Sequence, residues 1–367
     1  MSFNANHIAS RLYYDVLASN LNTKSSSNPI LTFTETRSKP FIYSPKDYYM
    51  SIVRFSIDTC SLPIFIPTIQ SNQSDPNLTI YSVSMTYNNQ IVQTYINFIP
   101  QDKSQPQAAS PNTTPTGLQI FSEYYYVYNY EYVIYLLNNT LETCFNSLAA
   151  LTTLPTSNVP YFKWDPTNNI ATLISNQKGF DDTSDDYISL YMNNALYQLF
   201  SSLPMKINST SSTNGLNYQI STSNYGNANT ENVSNYTAQL LIQEYSTISV
   251  WNPVMSMVFT SNTMPIVCEQ LSAPLIYLNG ITIQSTNNSN IANIITDFEA
   301  NDAIYKPLLV YQPTIYRYKE LIGNSPLSSI DISCFWKSRS GNLIPFYLNA
   351  GCSASIKLMF CLIGTQN

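Results

Sequence analysis

Hydrophobic and polar positions alternate along much of this chain. From Ile80, Tyr81, Val83, Met85 and Tyr87 fall on one side of an extended run, with Ser82, Ser84 and Thr86 on the other. Asn88-Asn89 interrupts, and Val92, Thr94, Ile96 and Phe98 share a side of the next run. Successive strand side chains point to opposite faces, so two such runs about an Asn pair predict a β-hairpin. The same period sets Tyr49, Val53, Phe55 and Ile57 against Arg54, Ser56 and Asp58. Near the end, Ile330, Ile332, Cys334 and Trp336 alternate with Asp331, Ser333 and Lys337. Ala354, Ile356, Leu358, Phe360 and Leu362 then alternate with Ser355 and Lys357. A further hairpin is predicted from Phe162 to Ile174, turning over Asp165-Pro166-Thr167-Asn168-Asn169.

One stretch keeps a different period. Tyr130, Val133, Ile134, Leu137, Leu141, Cys144, Phe145 and Leu148 recur at three- and four-residue steps, which predicts an amphipathic helix with Asn129 as its N-cap. A shorter helix after Asn194 would bury Leu196, Leu199 and Phe200. Residues 101–116 are polar and Pro-rich and read as a loop. Residues 208–237 are nearly all Asn, Ser, Thr, Gly and Tyr, and read as a surface loop or arm that buries little. Residues 1–28 read as a leading arm with a weak apolar pattern. Many short strands, few helices and several long loops predict a mainly β fold, a sandwich with Greek-key or jelly-roll connections.

Composition turns this fold toward structure rather than chemistry. Charged residues make up 10% of the 367, against about 25% in ordinary domains. In their place stand 29 Tyr and abundant Asn, Ser and Thr. Tyr gives rigid contact area at low entropic cost, and Asn and Ser give adaptable hydrogen bonds, so such a surface suits protein–protein contact. The net charge is −6 and no Lys/Arg run occurs, which disfavours a phosphate-neutralising, nucleic-acid-binding arm. No apolar run approaches the ~20 residues of a membrane-spanning helix, and residues 1–14 lack the apolar core of a signal peptide. Eight Asn-x-Ser/Thr sequons, from Asn72 to Asn287, are what chance produces at this composition.

Candidate chemistry is sparse. His7 is the only histidine and lies in the polar arm. The six cysteines, Cys60, Cys144, Cys268, Cys334, Cys352 and Cys361, are scattered without zinc spacing. They read as small buried hydrophobes made in a reducing compartment, although a disulfide between Cys334 and Cys361, both on expected strands, stays open. Asp181, Asp182, Asp185 and Asp186 form the densest acidic cluster, but it lacks the glycine and distal glutamate of a Ca²⁺ loop, and a solvated tip or subunit contact is expected there. Asp297 and Glu299 are the nearest thing to a glycosidase pair, yet alternation puts them on one strand face. The run Tyr124-Tyr125-Tyr126-Val127-Tyr128-Asn129-Tyr130 lacks interleaved cations and is expected in a strand covered on both faces, in core or interface. No nucleophile elbow, Walker loop or dinucleotide fingerprint occurs. No catalytic, metal or cofactor residue is therefore assigned, and an enzyme is not expected.

Three stretches carry a resemblance. "RYKELIGNSPLSSIDISCFWKSRSGNLIPFYLNAGCSASIKLMF" runs from Arg317 to Phe360, "WNPVMSMVFTSNTMPIVCEQ" from Trp251 to Gln270, and "SPKDYYMSIVRFSIDTCSLPIFIP" from Ser44 to Pro67. Together they resemble the penton, or minor capsid, proteins of polinton-like viruses, adintoviruses and virophages. The resemblance implies a jelly-roll capsid fold over residues 29–367, with an inserted upper subdomain somewhere within 75–245. It implies a virion protein made inside the host cell, five copies closing a homopentamer at the icosahedral five-fold vertex. Its neighbours there would be trimers of a double jelly-roll major capsid protein, with the arm of residues 1–28 running beneath the shell. The family has no catalytic residues to carry over. Two other readings remain at this point: a compact double jelly-roll coat protein forming trimers, and a receptor- or glycan-binding viral β-sandwich.

Overall fold

A computed structural model describes residues 10–21, 29–70, 74–101, 122–222, 228–233, 235–267, 275–278, 281–284, 293–300 and 307–364. The chain forms two compact units, residues 1–62 with 254–367, and residues 63–253. Before residue 63 lie β1 (Arg11–Ser19), β2 (Thr32–Thr36) and β3 (Tyr48–Asp58). The second unit holds β4 (Leu78–Tyr87), β5 (Gln90–Asn97), α1 (Tyr130–Ala149), β6 (Tyr161–Asp165), β7 (Ile170–Asn176), α2 (Gln177–Phe180), β8 (Ser189–Met192) and α3 (Asn194–Leu199). It continues with β9 (Met205–Ile207), β10 (Tyr218–Ile220), β11 (Ala228–Val233), β12 (Tyr236–Ile242) and α4 (Ile248–Trp251). After residue 253 come β13 (Val254–Ser261), β14 (Leu275–Leu278), β15 (Ile281–Gln284), β16 (Asn293–Glu299), β17 (Leu308–Tyr311), β18 (Lys319–Glu320), β19 (Ser329–Ser338), β20 (Asn342–Pro345) and β21 (Ser353–Leu362).

The first unit is a sandwich. One sheet runs β1-β21-β3-β17, with β18 also on β3; the other runs β15-β14-β20-β19-β13-β16, with β2 also on β19. Counted along the chain, β1, β2, β3, β13, β16, β17, β19 and β21 are first to eighth. First, eighth, third and sixth then lie side by side in one sheet. Second, seventh, fourth and fifth do so in the other, which is the double Greek key of a jelly roll. The two sheets meet through aromatic rings. Phe55 on β3 lies 5.1 Å from Phe259 on β13 and 5.1 Å from Phe298 on β16, centroid to centroid. β19 shows the expected alternation over its whole length, with Ile330, Ile332, Cys334 and Trp336 buried.

Two departures in this unit have physical causes. In β3 the buried apolar set is Tyr48, Met50 and Ile52, then Val53, Phe55 and Ile57, with Ser51 buried as well. The pairing with β21 shifts between Lys357 and Leu358, so an extra residue in β3 changes the phase of its side chains. Tyr49 therefore leaves the face that simple alternation gave it. Second, part of the stretch expected as an arm is a strand: β1 pairs antiparallel with β21 from Arg11 opposite Cys361 to Ser19 opposite Ser353. Tyr14 and Val16 are buried by that pairing.

The second unit has two sheets, β5-β4-β8-β10-β9 and β11-β12-β7-β6, with α1 packed on β4, β5 and β6. The β4–β5 hairpin turns at Asn88 and Asn89, both at positive φ, the conformation two-residue hairpin turns require. Asn129 caps α1 by accepting the Glu131 N–H at 2.8 Å, and Val133, Ile134, Leu137, Leu141, Cys144, Phe145 and Leu148 are buried as the spacing predicts. The helix after Asn194 is α3, capped by Asn193. Trp164, Trp251, Phe200 and Tyr130 form the aromatic centre: Tyr130 stacks on Trp164 at 5.3 Å, and Trp251 lies 5.3 Å from Phe200. Ser82 and Ser84, which alternation gave to solvent, are buried. The segment around Gly215 covers them: Ser84 Oγ donates to the Asn214 carbonyl, and Gly215, at φ +69°, leaves no room for a Cβ beside Gln93 and Ser84. Residues 208–237 are correspondingly not a plain loop, since β10, β11 and the start of β12 lie within them.

Candidate functional site

The singled-out residues do not converge. His7, Cys268 and all of the Pro-rich loop but Gln101 lie outside the described residues. The acidic cluster is a tied-down turn. Asp181 Oδ1 accepts from the Thr183 amide at 3.0 Å and hydroxyl at 2.7 Å, Lys206 lies 3.5 Å from Asp182, and Tyr87 donates to Asp186 at 2.7 Å. Among the described residues no three His, Cys, Asp or Glu side chains gather as a metal site would need. Asp297 and Glu299 do share the exposed face of β16, where Arg317 Nη1 sits 2.9 Å from Asp297.

The tyrosine run is core rather than platform, and it is not a strand. It makes a short helical turn at Glu123–Tyr125 and one β-bridge from Val127 to Phe65. Tyr124 donates to Asn77 at 2.9 Å, and the buried Tyr125 donates to the Pro76 carbonyl at 2.6 Å. Burial pushes the Tyr132 hydroxyl up to about 12. Tyr125 and Tyr126 are buried and cannot stack on a base or sugar, and of the run's rings Tyr128 is the exposed one. Cys144, Cys334 and Cys361 are buried thiols, and the structure forms no disulfide between Cys334 and Cys361. Both lie on inner strands where desolvation holds the Cys334 thiol protonated.

Among the exposed apolar side chains, several lie on the two end strands of one sheet. β1 and β17 are the two ends of one sheet, and among the described residues each pairs on one side only. β1 presents Tyr13 and Leu17, 54% and 71% exposed, and β17 presents Leu308 and Val310, the latter 58% exposed. Between them the face carries a small charge network: Asp15 is 3.3 Å from Arg54 on β3 and 3.4 Å from Lys357 on β21. These pairs are solvent-exposed, so each is worth about 0–1 kcal/mol. Uncovered strand edges with apolar side chains are templates for another chain, and soluble proteins usually blunt them.

Sequence reasoning missed three positions. Asp331, read as outward-facing on β19, anchors the turn after β13: it accepts from Ser261 Oγ at 2.6 Å, from the Asn262 and Thr263 amides at 3.1 and 3.2 Å, and from Thr263 Oγ1. Asn193 ties α3 to β4 through Ile80 and Ser82. Asp58, Cys60 and Cys352 lie together. An Asn just ahead of an apolar helical pattern was the available signal for Asn193.

Comparison with known proteins fits a virion component. In solved structures the chain is similar to a chain of the 3.5 Å cryo-EM structure of the Sputnik virophage, with TM-score 0.79, 25% identity, and 98% of this chain and 99% of that chain covered. It is also similar in fold to the mavirus penton protein, with TM-score 0.63 and 14% identity over 96% of this chain and 99% of that one. A Sputnik virophage protein designated V18 is 34% identical over 144 residues, 38% of this chain and 84% of that protein. The pattern of one family spans residues 12–361, from the first strand of the jelly roll to the last, and the chain accordingly belongs to the Sputnik minor capsid protein V18/19 family.

Proposed function

We propose that this minor capsid protein is the penton of its virion, closing the five-fold vertex as a homopentamer seated among copies of the major capsid protein. The observation that carries the reading is a jelly roll whose two opposite end strands, β1 and β17, carry exposed apolar side chains and pair on one side only among the described residues, in a chain of the minor capsid family. A ring needs a heterologous contact, in which one patch meets a different patch on the next copy. The β1 edge with Tyr13 and Leu17, meeting the β17 edge with Leu308 and Val310 of the next copy, has that character. Low charge suits the arrangement, because ions buried at every repeated contact would cost desolvation energy. The trimeric coat reading needs two jelly rolls; the second unit has a different strand order, β5-β4-β8-β10-β9 with β11-β12-β7-β6. Synthesis takes place inside the host cell, ahead of assembly.

The mass of the assembled protein tests this. A species of five times the 41.4 kDa protomer, with five-fold rings by electron microscopy, is the expected result. A species of three protomers would favour the coat reading, and a monomer at every concentration would remove the assembly role. Leu17→Lys or Val310→Lys should abolish rings and leave thermal stability unchanged, since both side chains are exposed.

A further inference from the structure

Two cysteines share one carboxylate. Asp58 is the last residue of β3, Cys60 follows two residues later, and Cys352 immediately precedes β21. β3 and β21 are neighbours, with Ser56 opposite Ser355, so the end of one strand lies beside the start of the other. Cys352 Sγ donates to Asp58 Oδ2 at 3.0 Å, while the Cys60 amide donates to Asp58 Oδ1 at 2.8 Å. Asp58 is the largest influence on both thiols, and the Cys352 thiol also senses that of Cys60. The surrounding backbone is fixed: the Thr59 amide bonds Pro307, the Cys352 amide bonds Asn349, and the Asn20 amide bonds Cys352. Cys60 is exposed and Cys352 half-buried, whereas Cys144, Cys334 and Cys361 are buried. A disulfide needs two cysteines of short Cα separation, and the Cys352 thiol and the Cys60 amide, bonded to the two oxygens of one carboxylate, bring these residues to the same end of the β3–β21 pair.

We propose that Cys60 and Cys352 form a redox pair that closes into a disulfide when the protein meets a disulfide oxidant such as oxidised glutathione. The exposed Cys60 thiolate attacks a glutathione sulfur, forming a mixed disulfide and releasing one glutathione thiol. Cys352 then attacks the Cys60 sulfur, and the second glutathione leaves as a thiol. The two protein thiols lose two electrons and two protons, and one oxidised glutathione becomes two reduced ones. The bridge clasps β3 to β21, the central pair of its sheet, just before the chain passes from Leu62 into the second unit. It closes a loop containing that whole unit, so it restrains the unfolded chain strongly. The Asp58 carboxylate sets the rate: its hydrogen bond pushes the Cys352 thiol up to about 11 and raises that of Cys60, so little thiolate exists near neutral pH.

Purified full-length protein treated with oxidised glutathione in mildly alkaline buffer tests the pair. The expected result is a mass loss of two hydrogens, a peptide map joining Cys60 to Cys352, and a Tm raised by several degrees. Cys60→Ser and Cys352→Ser should each leave the partner carrying one glutathione, with no rise in Tm. Glutathione accumulating on both wild-type cysteines, or a bridge from either to Cys268 or another cysteine, would overturn the proposal. So would an absence of oxidation under conditions where the denatured chain oxidises. Asp58→Asn should bridge several-fold faster at neutral pH; an unchanged rate would remove the carboxylate from the account.

Discussion

Trp336 is the largest of the fully buried side chains, flanked on its sheet by Met257 and Ile344. Its removal leaves a cavity that close-packed sheets cannot fill, so Trp336→Ala should cost ~3–5 kcal/mol, and Phe360→Ala a similar amount. Denaturant melts read this directly, and an unchanged midpoint would contradict the packing. Both positions were legible in the sequence because a sandwich enforces period two on strands whose inner face is covered. Asp331 was not legible: a carboxylate on the outer face of a strand looks like a solvated one. Its four accepted hydrogen bonds around residues 261–263 say otherwise. Asp331→Ala should lose about 1–3 kcal/mol, because it strands the turn's donors. Asp331→Asn, which keeps part of the bonding, should lose less in the same melts.

Elements were legible where their surroundings are apolar on one side. α1, the β4–β5 hairpin, the β6–β7 hairpin, β19 and β21 were each visible as a clean period. The bulge in β3 was invisible, because a phase shift needs knowledge of the partner strand. β10 and β11 were hidden for another reason. They are short strands inside a stretch dominated by Asn, Ser, Thr and Tyr, and β11 is held by its backbone ladder with β12, from Ala228 opposite Leu241 to Val233 opposite Tyr236. Polar sequence therefore did not mean loop. β1 was missed because its apolar residues come in the runs Leu12-Tyr13-Tyr14 and Val16-Leu17-Ala18 rather than in clean alternation, and Tyr14 and Val16 alone are buried along it. Deleting residues 1–20 should accordingly do more than remove an arm. It exposes the edge of β21 and forfeits roughly 1.5–3 kcal/mol for each of those two side chains. Thermal melts should show a destabilised monomer prone to aggregation; a deletion as stable as the full chain would show β1 to be dispensable.

At the scale of the molecule, residues 63–253 interrupt a jelly roll between its third and fourth strands. Their ends lie together: the rings of Phe65 and Trp251 are 6.2 Å apart, within a core that includes Trp164 and Phe200. A unit with its own aromatic core and adjacent ends is suited to insertion into another fold. Expressed alone, residues 63–253 should therefore fold cooperatively, and a chain with a short Gly/Ser linker in their place should keep the sandwich. If rings form through β1 and β17, that shortened chain should still form them, since both strands belong to the sandwich. The forces holding such rings follow from composition. Charge is scarce, and the Asp15 network between the two edges consists of exposed pairs within one chain. At about 1 M salt the Debye length falls to about 3 Å, which removes attraction between exposed charges but leaves apolar burial intact or strengthened. Rings of the full chain and of the shortened chain should both persist in high salt by light scattering. Dissociation with rising salt would instead place the interface on charged loops, away from Leu17 and Val310.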